Sequence, residues 1–205
     1  MALLYRADLT PGKLDLLAPW LPARPWYRGP AEPQLVRVSA FRFDDPAGAV
    51  GVETILVRAE EGGPVFQVPL TYRDAPLAGA EAWLLGTAEH SVLGTRWIYD
   101  AAGDPVYAAA LTAAVLTGGT EAREEISVDG TLQPRTPAMS VRGTGAAGTP
   151  VPPITAVTAV AEADPTVITT DGPELALVRV LDGGPHADGP ALLWGDRALA
   201  LVRDI

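Results

Sequence analysis

The chain has 205 residues, 48% of them hydrophobic, enough to bury one substantial core or two small ones that share an interface. A net charge of −10, with no stripe of arginines, sets it against nucleic acid and anionic membranes as partners. The absence of cysteine removes disulfides, thiolate metal sites and thiol nucleophiles, and with no signal peptide and no run of eighteen apolar residues a cytoplasmic protein without a membrane segment is expected.

Thr10-Pro11 reads as an N-cap followed by proline at the first helical position. Leu14, Leu17 and Leu21 then recur at helical spacing, which predicts a short helix ending between Pro19 and Pro22. The stretch from Pro22 to Pro30 is too rich in proline for regular structure, yet it carries Trp26 and Tyr27, so an ordered, irregular segment is expected. Leu35 to Phe43, Val50 to Ala59 and Val65 to Tyr72 read as consecutive antiparallel strands, the first two joined by a turn at Asp44-Asp45-Pro46-Ala47-Gly48. In the third, Phe66, Val68 and Leu70 alternate with Gln67, Pro69 and Thr71, predicting one buried and one wet face. Pro69 favours an edge or a bulge, because it has no N–H to give to the ladder.

Ala78 to Leu85 reads as a short helical turn, and Ser91-Val92-Leu93 and Arg96 to Tyr99 as strands about a turn at Gly94-Thr95. Asp104-Pro105 opens an alanine-rich helix from Val106 to Leu116 that stops at Gly118-Gly119. Beyond residue 120 the texture changes to glycine, proline and threonine. Short strands are predicted at Ile126 to Val128, Met139 to Val141, Ile154 to Val160, Val167 to Ile168, Leu175 to Leu181, Leu192 to Trp194 and Leu199 to Val202, with a mobile connection from Gly143 to Pro153.

Three segments resemble the N-terminal cap of maltokinases. Leu16-Leu17 through Trp20-Leu21, leading to Arg24-Pro25-Trp26-Tyr27-Arg28-Gly29, is similar to the start of that cap. Phe66-Gln67-Val68-Pro69-Leu70-Thr71-Tyr72 is similar to its glutamine, valine, proline strand. Arg96-Trp97-Ile98-Tyr99-Asp100, followed by Asp104-Pro105 and an alanine-leucine helix, resembles the passage from cap to kinase body. Together they span about residues 11 to 118, and the resemblance is closest to stand-alone cap-like proteins that lack the kinase lobes and often carry a glucan-branching label. Pro30 stands where such caps often have lysine, and Ala101-Ala102-Gly103 where a histidine often precedes the aspartate-proline pair.

Phosphoryl transfer needs a cation on the nucleotide phosphates, carboxylates for magnesium and a base for the acceptor hydroxyl. Lys13 is the single lysine, and no Gly-x-x-x-x-Gly-Lys, His-Arg-Asp or Asp-Phe-Gly sequence occurs. Glycoside transfer needs two carboxyls about 5 Å apart in a cleft, and the chain is far shorter than the usual barrel. Gly143 to Gly148 has Gly-x-Gly-x-x-Gly spacing without a strand before it and a helix after it, which reads as a flexible loop.

Eight residues stand out as candidates for ligand or partner contact. Glu89 and His90 bring a carboxylate beside a group that titrates near neutrality, although neighbours on a strand face opposite ways and a loop-bonding role for His90 is the weightier reading. Arg96 and Asp100 are read as an ion pair that holds the turn and the helix entry. Arg24 and Arg28 flank Trp26 and Tyr27, a pattern suited to an anionic sugar phosphate. Trp26, Tyr27, Trp83, Trp97 and Tyr99 fit core packing better than a sugar platform. His186 lies in a glycine-proline loop, and two separated histidines do not make a dedicated metal site.

The expected architecture is α+β: an antiparallel twisted sheet with two or three helices in a cap-like unit over 1–118, then a β-rich region over 119–205 packing on it. An all-β sandwich with peripheral helices is the alternative. The expected role is a non-catalytic interaction or regulatory module, without a cofactor, that meets a protein partner or a second copy of itself, with a sugar or sugar phosphate as the other candidate ligand and maltose, trehalose or glycogen metabolism as the setting.

Overall fold

The computed structural model describes residues 2–4, 8–128, 131–182 and 188–203. Strands dominate it. In chain order the elements are β1 (Ala2–Leu4), β2 (Leu9–Thr10), α1 (Lys13–Trp20), β3 (Val36–Phe43), β4 (Gly51–Arg58), β5 (Val65–Arg73), β6 (Leu84–His90), β7 (Gly94–Asp100) and α2 (Pro105–Thr117). They continue with β8 (Glu124–Val128), β9 (Thr131–Arg135), β10 (Arg142–Gly143), β11 (Val157–Ala161), β12 (Thr166–Thr170), β13 (Glu174–Leu177), β14 (Ala191–Trp194) and β15 (Arg197–Arg203). No helix among the described residues is long and apolar enough to cross a membrane.

The first sheet is a curled antiparallel half-barrel in the order β2-β6-β7-β5-β4-β3. A second antiparallel sheet runs β10-β14-β15-β13-β12-β11, and a small third one, β1-β8-β9, sets β1 parallel to β8. The α+β expectation gives way to the all-β alternative. The strand over 84–90 takes in the end of the segment read as a helical turn, of which a single 3-10 turn at Glu81–Trp83 remains; the strand over 94–100 widens the one expected at 96–99, and a strand over 131–135 stands where none was expected. Besides α1 and α2, the helical content of the described residues is three short 3-10 turns, at Leu21–Ala23, Glu81–Trp83 and Ala101–Gly103.

Both faces of the first sheet are buried. On one face Ala40, Ile55, Val57, Phe66, Val68, Leu70 and Ile98 pack under Leu17 of α1, Leu21 just after it, and Trp26. On the other, Phe41, Phe43, Val52, Leu56 and Val65 join Leu111 and Val115 of α2 and Leu175, Leu177, Leu192, Leu199 and Val202 of the second sheet.

This overturns the wet face expected for β5. Gln67 is buried, its amide donating to the carbonyls of Val178 (2.7 Å) and Leu199 (2.9 Å), so its polarity is met by the backbone of the second sheet rather than by water. Pro69 sits inside the sheet opposite Thr54 of β4. Its neighbour two residues back, Gln67, points its N–H away from β4 to the Arg179 carbonyl, and β7 pairs only from Leu70 onward. The proline nitrogen therefore faces the gap between two partners, where no donor is required.

The helix termini follow local chemistry. Thr10 is not the N-cap of α1, because it pairs with Glu89 of β6; Gly12 takes that place, and the Asp15 carboxylate accepts from the Gly12 N–H (3.0 Å). The expected start of the second helix is found: Asp104 accepts from Val106 N–H (2.9 Å), and Pro105 fills the first position. Gly118 ends it at φ +69°, in the left-handed region. The carboxylate of Asp45 accepts from the N–H groups of Ala47, Ala49 and Val50 and closes the β3–β4 turn at the expected place.

Two connections depart from expectation. The β6–β7 turn is Ser91-Val92-Leu93, so that Gly94 opens a strand rather than lying at a turn. The segment after Gly143, expected to be mobile, is bound to the end of α2: Gly143 N–H donates to Gly119, Gly145 N–H to Val115 and Ala146 N–H to Leu116. These bonds satisfy carbonyls that the helix end leaves open. A Cβ on Gly143 would collide with the Ala114 carbonyl oxygen, and one on Gly145 with that of Leu116, which is why glycine stands at both. Met139 and Val141 are buried, but the segment between them is not a strand.

Candidate functional site

Arg179 lies at the centre of the contact between the first sheet and the second half of the chain. It has no exposed surface; Nη2 donates to Asp100 Oδ2 (2.7 Å), Nε donates to Thr166 Oγ1 (2.9 Å), and the guanidinium stacks over Trp26 at 4.8 Å. Its backbone N–H donates to Asp164. Tyr107 is buried alongside, its phenol pushed up by burial. Asp100 therefore pairs with Arg179 and not with Arg96, which lies four residues away along β7, too far for an extended strand to bring back.

Nearby, Arg24 Nη1 donates to Glu162 (3.1 Å) while its guanidinium covers Trp20 at 4.8 Å. Tyr27 packs on Phe66 and donates its hydroxyl to the Pro30 carbonyl; Arg28 is exposed. Of the four candidates in this segment, Arg24 and Trp26 hold the second half against the first. The other aromatics do not form one platform: Tyr99 accepts from Leu77 N–H, and Trp83 lies against Gly103.

A second cluster surrounds Glu53 on β4, which is buried. It accepts from Lys13 at the start of α1, from Arg42 on β3 (3.2 Å) and from the Tyr72 hydroxyl on β5 (2.9 Å). Burial alone would raise its carboxyl, yet Arg42 and Lys13, with hydrogen bonds from Lys13 and Tyr72, hold it down at about 2. For Lys13 burial outweighs the attraction of Glu53, so its ammonium is lowered. Arg42 also approaches Glu124 (4.0 Å), which in turn approaches Arg135 (3.7 Å), giving a chain of alternating charge from α1 to the third sheet. The only lysine thus stands on a carboxylate within the fold.

The tip of the β6–β7 hairpin carries two exposed aliphatics, Val92 (54%) and Leu93 (47%). Its backbone is held from several sides. His90 Nδ1 accepts from the N–H groups of Val92 (3.2 Å) and Leu93 (3.1 Å), Arg96 Nη2 donates to the Leu93 carbonyl (2.6 Å), and Ser91 N–H donates to Asp8 (3.0 Å). Glu89, on the opposite face of the strand, accepts from Thr95 Oγ1 (2.6 Å). Burial, then Arg96, Arg42 and Lys13, lower the His90 pKa and favour the neutral ring that this bonding needs. Of the eight candidates, Glu89, His90 and Arg96 lie together here.

A cleft of about 660 Å³ runs along the outer side of α2. Ala109, Ala110 and Ala113 of α2 line it together with Phe43, Pro152, Asp44, Glu121 and Arg123. Among the described residues, no group of three or more histidine, aspartate or glutamate side chains is placed to hold a metal ion. His186 lies outside the described residues.

The sequence reading missed Arg179, Glu53 and the exposed tip. A signal existed for Arg179: one arginine inside the apolar run Leu175 to Leu181 calls for a buried counter-charge. Nothing local singled out Glu53, whose partners come from three other elements.

Residues 20–104, from the last residue of α1 to the N-cap of α2, match the maltokinase N-terminal cap domain. The chain therefore carries a maltokinase N-terminal cap-like domain, built on β3 to β7; α2 and all that follows lie beyond the matched residues. Comparison with curated proteins gives no match.

Proposed function

We propose that this chain is a non-catalytic interaction or regulatory module related to the maltokinase cap and linked to maltose, trehalose or glycogen metabolism, with a cap-like unit over 1–118 and a β-rich region over 119–205 packed on it. The observation that carries this reading is the hairpin tip. Two aliphatic side chains are presented to solvent on a turn whose backbone is fixed by His90 and Arg96, an arrangement that lowers the ordering cost of docking. The single lysine and three of the arginines are engaged within the fold: Lys13 and Arg42 on Glu53, Arg24 on Glu162, Arg179 on Asp100.

The test is affinity capture from the native host with the full chain as bait, in which enzymes of maltose or glycogen metabolism are the expected prey. Transfer of radiolabelled phosphate to maltose by homogeneous protein would overturn the proposal. The small-molecule reading is separated by thermal shift with maltose, maltose 1-phosphate and short maltooligosaccharides. A true ligand at a hundred times its Kd stabilises by about 2.7 kcal/mol, and the interaction module expects no such shift.

A further inference from the structure

We infer that the start of β3 takes up an extended segment of a partner protein as an added strand, with an acidic residue of that segment set against Arg37. This rests on the interaction-module reading and gives that module a partner chemistry. β3 is the edge of the first sheet and has β4 on one side of it only. The chain itself covers the later part of this edge: the Arg42 carbonyl accepts from Ala122 N–H (2.8 Å), and Ser39 Oγ donates to the Ala138 carbonyl (3.1 Å). Nothing among the described residues does the same for Val36-Arg37-Val38, whose backbone makes no hydrogen bond outside the β3–β4 ladder. Val36 is 63% exposed and Val38 38%, on a strand whose next three residues are buried. An open edge is a template for main-chain pairing, and exposed aliphatics on it add apolar contact to the hydrogen bonds.

Arg37 decides what the edge accepts. It stands opposite Val57, as Ala40 stands opposite Ile55 and Arg42 opposite Glu53, because the register shift at Val38 returns all three to the α1 face. Arg42 and Lys13 are engaged on Glu53, whereas Arg37 is exposed and forms no hydrogen bond or ion pair. Glu32 and Glu60 lie past Gln34, whose N–H reaches the Ala59 carbonyl, and so outside the open stretch. A second copy does not fit here. Antiparallel pairing of Val36-Arg37-Val38 with itself is centred on Arg37 and sets two guanidiniums side by side, which destabilises the pair. A carboxylate in the same position is attracted instead, so one side chain both repels the like edge and admits an acidic strand.

Fluorescence anisotropy of the full chain with a labelled peptide of Val-Glu repeats tests this, alongside a peptide of Val-Lys repeats and a Val-Glu peptide N-methylated throughout, which keeps the charge and removes the N–H donors. The expected result is saturable binding of the Val-Glu peptide, weakened at least about tenfold by N-methylation and by Arg37→Glu. The Arg37→Glu chain should in turn prefer the Val-Lys peptide, an inversion that loss of structure cannot produce. Arg37 is exposed, so its substitution leaves the core intact, and circular dichroism checks that the variant is folded. No saturable binding of the Val-Glu peptide, equal binding of its N-methylated form, or an Arg37→Glu chain that keeps the wild-type preference would each overturn the inference. If wild type and Arg37→Glu capture the same host proteins equally well, strand addition at β3 fails while the interaction module stands.

Discussion

Asp100 and Arg179 meet 79 residues apart in sequence, carboxylate to guanidinium at 2.7 Å, with no side-chain surface exposed on either. Asp100 closes the cap-like segment and Arg179 follows β13 in the second half, so each part supplies the counter-charge that the other cannot bury alone. Asp100→Asn should lower stability by about 3–5 kcal/mol, because it leaves a buried guanidinium uncompensated. Asp100→Leu combined with Arg179→Met should recover much of that loss, whereas each single change should not. Urea unfolding of the four proteins measures the coupling, and additive losses would show that the two side chains do not act as a pair.

Acid should weaken the fold through Glu53. Its carboxyl is held at about 2 in the folded chain against an ordinary 4.5, so the folded state binds fewer protons. The stabilisation is fully present above pH 4.5 and is lost as pH falls through about 2. Lys13, whose ammonium is lowered by burial, works against the pair at neutral pH and reduces its net contribution. Glu53→Gln should cost about 2 kcal/mol at pH 7 and flatten the dependence between pH 4.5 and 2. A variant that keeps the wild-type acid profile would remove Glu53 as its source.

The tip responds to pH in a milder range. Protonation of His90 Nδ1 abolishes its capacity to accept from Val92 and Leu93, and its folded pKa is lowered, so the turn is fully held above the ordinary histidine value of 6.5 and loosens as pH falls through the depressed one. Amide exchange at Val92 and Leu93, corrected for intrinsic rate, should accelerate on acidification while Ile98 stays protected. His90→Ala should show fast exchange at every pH; protection that survives the substitution would assign the turn to Arg96 and Asp8 instead of His90.

Removal of residues 120–205 should yield an aggregating fragment. Phe41, Phe43, Leu56 and Val65 of the first sheet and Leu111 and Val115 of α2 lose the cover of Leu175, Leu177, Leu199 and Val202. Light scattering after expression of 1–119 decides it, and a monodisperse fragment would show that the first half buries its own apolar surface.

Much of the fold is legible where neighbours in sequence decide the outcome. Asp104-Pro105 with Gly118 bounds α2, Asp45 marks the first hairpin turn, and the runs at 36–43, 51–58 and 65–73 appear as strands. The errors arise where a distant partner decides. Gln67 looks like a solvent-facing residue until Val178 and Leu199 come to meet it, and Thr10 looks like a cap until Glu89 claims it for a strand. Leu84 to His90 lacks β-branched residues other than Thr87 and becomes a strand through its pairing with β7. The candidate site divides in the same way: His90 as a loop-bonding residue is readable from its setting, while the pairing of Asp100 depends on an arginine in the second sheet.

The close seat of Gly143 and Gly145 on the last turn of α2 has a consequence for kinship. Any β-carbon at either point strikes a carbonyl oxygen, so a lineage that keeps this architecture must keep both residues bare, whatever happens to the bases that encode its many alanines. A helix stopped by paired glycines and followed, about two dozen residues on, by a Gly-x-Gly step is therefore a fingerprint by which descendants of the whole two-part assembly can be told from proteins that inherited only the forward half.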